Sequence, residues 1–352
     1  MAYTTINDPS AHFQVTNYTG NGSTQTITFN GNSNLQPDWV WLKDRDNPNS
    51  HRLVNSIRGS TKYLISSVDN LEATEAAGMT AFNSDGFALG SNSDFNGNGA
   101  DFASWSWKAG TTGSGTTTGS GTGKTYNYSV NATAGFSIVT YTGNGTANHQ
   151  IPHHLGATPD MVIVKRLDTS TNNWAVYHSA DSMGATKAMY LDQNSTATSD
   201  AWLNNTAPNA TSVNLSNGNY GNTDGILHIM FSFVAIKGYQ AFGQYEGNGE
   251  SSDGTFVYTG FRPAFLMYKN TDTADSWFLH DNERFGRNPN NRLLFADIDQ
   301  AESTADRIKF YANGFKTTDS DKGVNKNGDH YIYWAIADSP FVSSGGVPAT
   351  AF

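Results

Sequence analysis

The chain has 352 residues, only 15% of them charged, with 35 glycines, no cysteine and a formal net charge of −10. That length suits two or three domains of about 100–150 residues each. The missing thiols exclude disulfides, thiol catalysis and thiolate metal sites, and the negative balance argues against non-specific nucleic-acid binding and against an anionic membrane surface.

The 8 Trp, 16 Tyr and 20 Phe residues are spread along the chain. Together with the glycines they predict many short strands joined by tight turns, and no extended disorder. The first residues, Met1 to Thr5, carry neither a basic nor an apolar stretch, so no signal peptide is expected. No run approaches the ~18 apolar residues of a membrane span, so no membrane insertion is expected.

Taken in chain order, the first unit opens on Phe13 to Tyr18, an alternating run closed by Gly20-Asn21-Gly22. Such a turn tolerates positive φ and reads as a hairpin signal. Pro37 then leads the apolar run Trp39 to Leu42, ended by Lys43. Apolar residues at consecutive positions predict a strand covered on both faces. Leu71 to Met79, with Glu72 and Glu75, has the composition of one or two helical turns. Asp94, Asn96, Asn98 and Asp101 alternate with glycines, the pattern of oxygen ligands that a calcium ion takes. Self-bonded Asx turns offer the plainer account. Phe102 to Trp107 closes the unit.

Residues 110–133 begin with a Gly/Thr/Ser tract and read as a flexible linker and lead-in. The first pattern then returns twice. Phe136 to Tyr141 ends in Gly143-Asn144-Gly145, and Phe242 to Tyr245 ends in Gly247-Asn248-Gly249. Pro159 and Pro263 lead the runs Met161 to Val164 and Phe265 to Tyr268, ended by Lys165 and Lys269. Asn222-x-x-Gly225 and Asn325-x-x-Gly328 match Asn96-x-x-Gly99 before aromatic strands. Three anchors in one order identify an internal repeat.

The expected organisation is therefore all-β: three tandem β-sandwich modules of jelly-roll or concanavalin-like type at 1–109, 134–238 and 239–342. Ile226 to Ile236 reads as a buried strand running directly into the third module. The tail, 343–352, either docks or frays.

The Tyr-x-Gly-Asn-Gly motif, the Pro-led strand with its Lys, and the stretch Tyr258-Thr-Gly-Phe-Arg-Pro-Ala-Phe265 resemble modules of marine bacteriophage virion structural proteins. Phe82-Asn-Ser-Asp-Gly-Phe-Ala-Leu-Gly90 is similar to that family's N-terminal module. The resemblance covers nearly the whole chain except the Gly/Thr/Ser tract. It implies a virion protein exposed on the particle, foremost a tail-fibre or tail-associated protein in host recognition. A head decoration protein is the alternative, and a carbohydrate depolymerase comes third.

Chemistry is sparsely signalled. No repeated carboxylate pair suggests glycoside hydrolysis; Asp281, Glu283, Asp297 and Asp299 cluster in the third module alone. No Gly-x-Ser-x-Gly elbow or phosphate loop is present. His153 and His154 are adjacent, so on a strand they face opposite sides and cannot share a metal. Trp105, Phe231 and Trp334 are aligned and read as core. Trp174 and Trp277 are aligned too, with His51 in the first module. Lys43, Lys165 and Lys269 read as solvated or salt-bridging cations at a sheet rim, as do Lys62, Lys187 and Arg292. The reading is thus a non-enzyme without a cofactor, calcium apart. Its expected partners are other virion proteins, a host glycan or receptor, and further copies of itself in a homotrimer.

Overall fold

The computed structural model describes residues 3–168, 171–218, 220–284, 288 and 290–348. Among them the chain is almost entirely antiparallel β; the one α-helix is the single turn Ser93–Asn96. Each module is a two-sheet sandwich. In the first, the larger sheet runs in the order Phe13–Thr19, Asp101–Trp107, Trp39–Asp44, Arg52–Asn55, Gly59–Leu64, Ala73–Thr74. The smaller sheet orders Gln25–Ile27, Gly86–Leu89, Met79–Asn83. The other modules repeat the strand order of the larger sheet; in the second, the smaller sheet pairs His149–Pro152 with Ser212–Leu215 and adds Thr118–Gly119 on the outer edge, with no counterpart of Met79–Asn83 among the described residues. In the third, the long strand Ser303–Tyr311 carries one sheet into the other, so eight strands form one continuous sheet.

Why the Pro-led strands are apolar at consecutive positions is now plain. Trp39 and Trp41 point into one core while Val40 and Leu42 point into another. Met161 and Ile163 part from Val162 and Val164 in the same way, as do Phe265 and Met267 from Leu266 and Tyr268. The even-numbered residues of the first two strands, and their counterparts in the third, fill each sandwich. The odd-numbered ones meet in a single core shared by all three modules. At its centre Trp39 stacks on Phe231 at 4.6 Å, Trp107 on Trp334 at 5.5 Å, and Phe233 lies 4.4 Å from Trp334. Offset and tilted aromatic contacts of this kind add to the burial of large apolar surface.

The three modules close into a ring. Glu72 N donates to Leu167 O of the second module, Ala197 N to Thr271 O of the third, and Glu302 N to Arg45 O of the first. These three bonds occupy the same place in each module. The repeat is therefore cyclic, and the modules are not beads on a string.

Several expectations are corrected. The Gly/Thr/Ser tract is not a flexible linker: Thr111–Thr116 pairs with Thr125–Asn131 and extends the second module's larger sheet. Tyr128 and Tyr126 lie across Gly113 and Gly115, where a Cβ would sit 2.5 and 2.6 Å from the ring hydroxyls. The glycines are required by the rings that cover them. Thr118–Gly119 joins the smaller sheet beside His149–Pro152. The Gly-Asn-Gly segments are not hairpin turns, because the strands on either side of each do not pair with one another. Leu71 to Met79 is extended and turned, with Ala73–Thr74 in the sheet. The second and third modules are not joined by one continuous strand. Leu227–Phe233 ends before a turn in which Ile236 and Gln240 exchange backbone hydrogen bonds of 2.9 Å, with Gly238 at φ +77°. Of the tail, Ser344 docks on the N-terminal segment through both side-chain groups of Asn7.

Candidate functional site

The repeated polar motifs hold the fold together. In each Tyr-x-Gly-Asn-Gly segment the tyrosine hydroxyl donates to a carbonyl of the loop before the closing strand: Tyr18 to Phe95 O, Tyr141 to Gly221 O, Tyr245 to Val324 O. That loop's asparagine is buried and accepts from the motif backbone. Asn96, Asn222 and Asn325 take the N–H of Asn21, Asn144 and Asn248 at 3.0, 2.9 and 3.0 Å. A Cβ on Gly20, Gly143 or Gly247 would lie 2.2 Å from a carbonyl of the loop. The segment is a corner that carries the chain from the larger sheet to the smaller one, locked three times over.

The aligned lysines are not rim cations. Lys43, Lys165 and Lys269 are fully buried. Their ammonium groups donate to backbone carbonyls: Lys165 to Asp69 and Asn172, Lys269 to Asn194, Lys43 to Asp44 and Asn47. Lys165 and Lys269 thereby grip the preceding module. Burial pushes all three ammonium groups down to about 8.

The Trp and His position follows the same ring. Trp174 Nε1 donates to Ile65 O, and Trp277 Nε1 to Tyr190 O, both at 2.9 Å. In the first module His51 Nε2 stands 2.7 Å from Phe295 O, and its Nδ1 accepts from Trp41 Nε1 at 2.8 Å. The indole has moved to the neighbouring strand, where the other modules have Ile163 and Met267. Burial holds His51 neutral, its pKa lowered to about 3.

The calcium candidates have other partners. Asp94 pairs with Arg52, Asn96 belongs to the corner lock, and Asp101 accepts from Thr19 Oγ1 at 2.7 Å. Asn98 packs its Cβ against Gly22. Among the described residues no group of three or more His, Asp or Glu side chains is arranged to hold a metal ion. Of the acidic cluster, Asp281 accepts from Trp105 Nε1 at 3.0 Å and pairs with Arg284, tying the third module to the first. Asp297 accepts from Trp277 N, and burial pushes its carboxyl up to about 6. His153 is buried against Asn209 O, while His154 stacks on Tyr128 at 3.8 Å. His330 and Asp272, 2.8 Å apart, share a surface pocket with Ser182, but the serine hydroxyl is hydrogen-bonded to neither.

What the repeat leaves unexplained lies on the outer face of the third module. Six large apolar side chains are exposed among the described residues, and four are aromatic: Tyr3, Phe256, Tyr258 and Tyr311. Phe256 and Tyr258 project from the same side of one strand, and the Tyr311 ring stands 5.9 Å from Phe256. Tyr258 also borders a groove of about 380 Å³ whose walls include Tyr3, Lys237, Phe242 and Phe341. Lys237 Nζ sits 5.4 Å over the Tyr3 ring. Lys316 is the cross-strand partner of Phe256 and of Lys309; it pairs with Asp253. Sequence reading missed this face, because no short motif marks it. The signal was in the repeat, as a difference between copies.

A family model described as a domain of unknown function, DUF7483, matches residues 8–340. The chain belongs to the DUF7483 family. The DUF7483 match takes in all three modules as one domain, in keeping with their shared core. No curated protein and no solved structure matches the chain.

Proposed function

We propose that this DUF7483 protein is a structural component displayed on the surface of a bacteriophage particle, foremost on the tail in host recognition. Its work is packing and presentation. The observation that carries this reading is where the repeated motifs go. Corner locks, buried lysines and ring-closing Trp and His residues all serve rigidity, and variation is left to the outer faces. The likeness of the Tyr-x-Gly-Asn-Gly modules to marine phage virion proteins supplies the setting.

The closed ring gives one chain the inter-module contacts that three separate chains would otherwise supply. We therefore propose the monomer as the working unit in place of the homotrimer expected from sequence. Immunogold labelling of purified particles tests the placement. Label on tails supports it; label on heads favours a decoration protein; unlabelled particles overturn it. A trimer in sedimentation at micromolar concentration would count against the monomer.

A further inference from the structure

Because the modules are copies, each is a control for the others. The strand pairing sets Phe256, Tyr258, Lys309, Tyr311 and Lys316 opposite Thr26, Thr28, Ala81, Asn83 and Ala88 of the first module. The two small sheets share their register: Phe315 pairs with Val257 and Phe310, as Phe87 pairs with Ile27 and Phe82. The first module builds this face from small neutral residues, so the fold does not require rings or ammonium groups there. In the second module Gln150 and Pro152 stand in the place of Phe256 and Tyr258, and the strand that carries them is paired on its outer edge by Thr118–Gly119. Among the described residues the third module alone exposes three aromatic rings on this face, with Lys309 exposed and Lys316 half-buried beside them, next to a groove edged by Tyr3 and Lys237.

We infer that this face is a binding site for a carboxylated glycan. The rings offer flat apolar surfaces at fixed positions, with few rotors to freeze on binding. Pyranose rings present a matching apolar C–H face, with hydroxyls around the edge. Lys309 makes no ion pair among the described residues; it lies two residues from Tyr311 on one strand, in cross-strand register with Lys316, which in turn faces Phe256. The Lys309 ammonium on this aromatic face, on a chain of net charge −10, complements a carboxylate on the ligand. A protein interface is disfavoured because lysine is depleted from interface centres. A nucleic-acid strand is disfavoured because it demands a continuous basic track, whereas Lys316 here is paired with Asp253. The inference names the ligand class that host recognition would use, yet it stands on the comparison of modules. Particles labelled on their tails with no glycan binding would refute it alone; glycan binding by a protein missing from particles would refute the placement alone.

The test is calorimetric titration of the full chain with oligogalacturonate, a neutral cello-oligosaccharide and a single-stranded oligonucleotide. Oligogalacturonate is expected to bind, with affinity falling as salt rises. Installing the first module's residues, Phe256→Thr, Tyr258→Thr and Tyr311→Asn together, should weaken it about tenfold or more with the melting temperature preserved. Lys309→Ala should weaken it severalfold and flatten the salt dependence. Should the triple variant fail to fold, Tyr258→Ser at the most exposed of the three rings should still weaken binding severalfold. Absence of binding, equal binding of the neutral sugar, preference for the oligonucleotide, or variants that bind like the parent would each overturn the inference.

Discussion

Trp39, Met161 and Phe265 occupy one position in the three larger sheets, and all three are buried in the shared core. Thr26, Gln150 and Phe256 occupy one position in the three smaller sheets and have only the strand in common. The inner position is constrained by two other modules that press on it; the outer one is constrained by none. The difference teaches where to look for function in a repeat protein. What recurs builds the body, and what differs between copies at an exposed position calls for another reason.

The most severe way to break the comparison is to empty the inner face. Trp334→Ala should cost about 3–5 kcal/mol. The loss should appear in the unfolding of all three modules at once, as read by denaturant unfolding with probes in each. The matched exchange in the first module sharpens the same point. Trp41→Ile leaves a cavity and His51→Trp overpacks it, each costing about 1–3 kcal/mol. The double variant restores the pattern of Ile163 with Trp174, so it should recover about 0.5–3 kcal/mol of coupling in a double-mutant cycle.

Removing a corner lock should cost less than emptying the core. Asn96→Ala, Asn222→Ala and Asn325→Ala each free the same backbone N–H, at roughly 1–3 kcal/mol. The three values should agree more closely with one another than with any substitution on an outer face.

Protonation probes the buried ring. Burial holds His51, His228 and His280 at about 3 and His178 at about 4. As pH falls below the ordinary histidine value of 6.5, the unfolded chain takes up protons that the folded chain refuses. Stability should therefore fall from pH 6.5 toward 4, in melting curves recorded across that range. Asp297, raised to about 6, acts in the opposite sense: the folded state binds its proton first as pH falls. Asp192, also raised by burial, acts with Asp297, while His12, His149, His153 and His154, also lowered by burial, act with the other four imidazoles; two carboxyls oppose eight imidazoles. Lys43, Lys165 and Lys269 should titrate near pH 8 in carbon-detected spectra, well below the ordinary lysine value of 10.5. Their shift adds stability as pH rises above 8, where the unfolded chain still holds those protons.

The smallest effect belongs to the outer face. The triple exchange at Phe256, Tyr258 and Tyr311 should move stability by only about 0.5 kcal/mol in either direction, because all three side chains lie on the surface outside the cores.

Much of the body was legible in sequence. The repeat, the all-β class and the doubly covered strands follow from apolar runs at Trp39, Met161 and Phe265 and from the aligned Trp105, Phe231 and Trp334. The errors share a physical cause: a local pattern compatible with two tertiary settings. Gly113 and Gly115 suit a flexible coil and equally a strand capped by tyrosine rings. Asn21-Gly22 suits a hairpin and equally a corner between sheets, since both need positive φ. Lys165 ends an apolar strand in either case; only the preceding module, which offers Asp69 O, decides whether it meets water or carbonyls. Ring closure leaves little mark in sequence, because the bonds that recur in every module end on backbone oxygens. The aromatic face is carried by residues of ordinary type, and only their contrast with the first module exposes them.

The central claim is that the three modules fold as one unit around a common core. Differential scanning calorimetry tests it most directly, through the ratio of calorimetric to van't Hoff enthalpy. A single transition with a ratio near one is the predicted result. Separate transitions, or one transition with a ratio near three, would show modules that unfold independently and would contradict it.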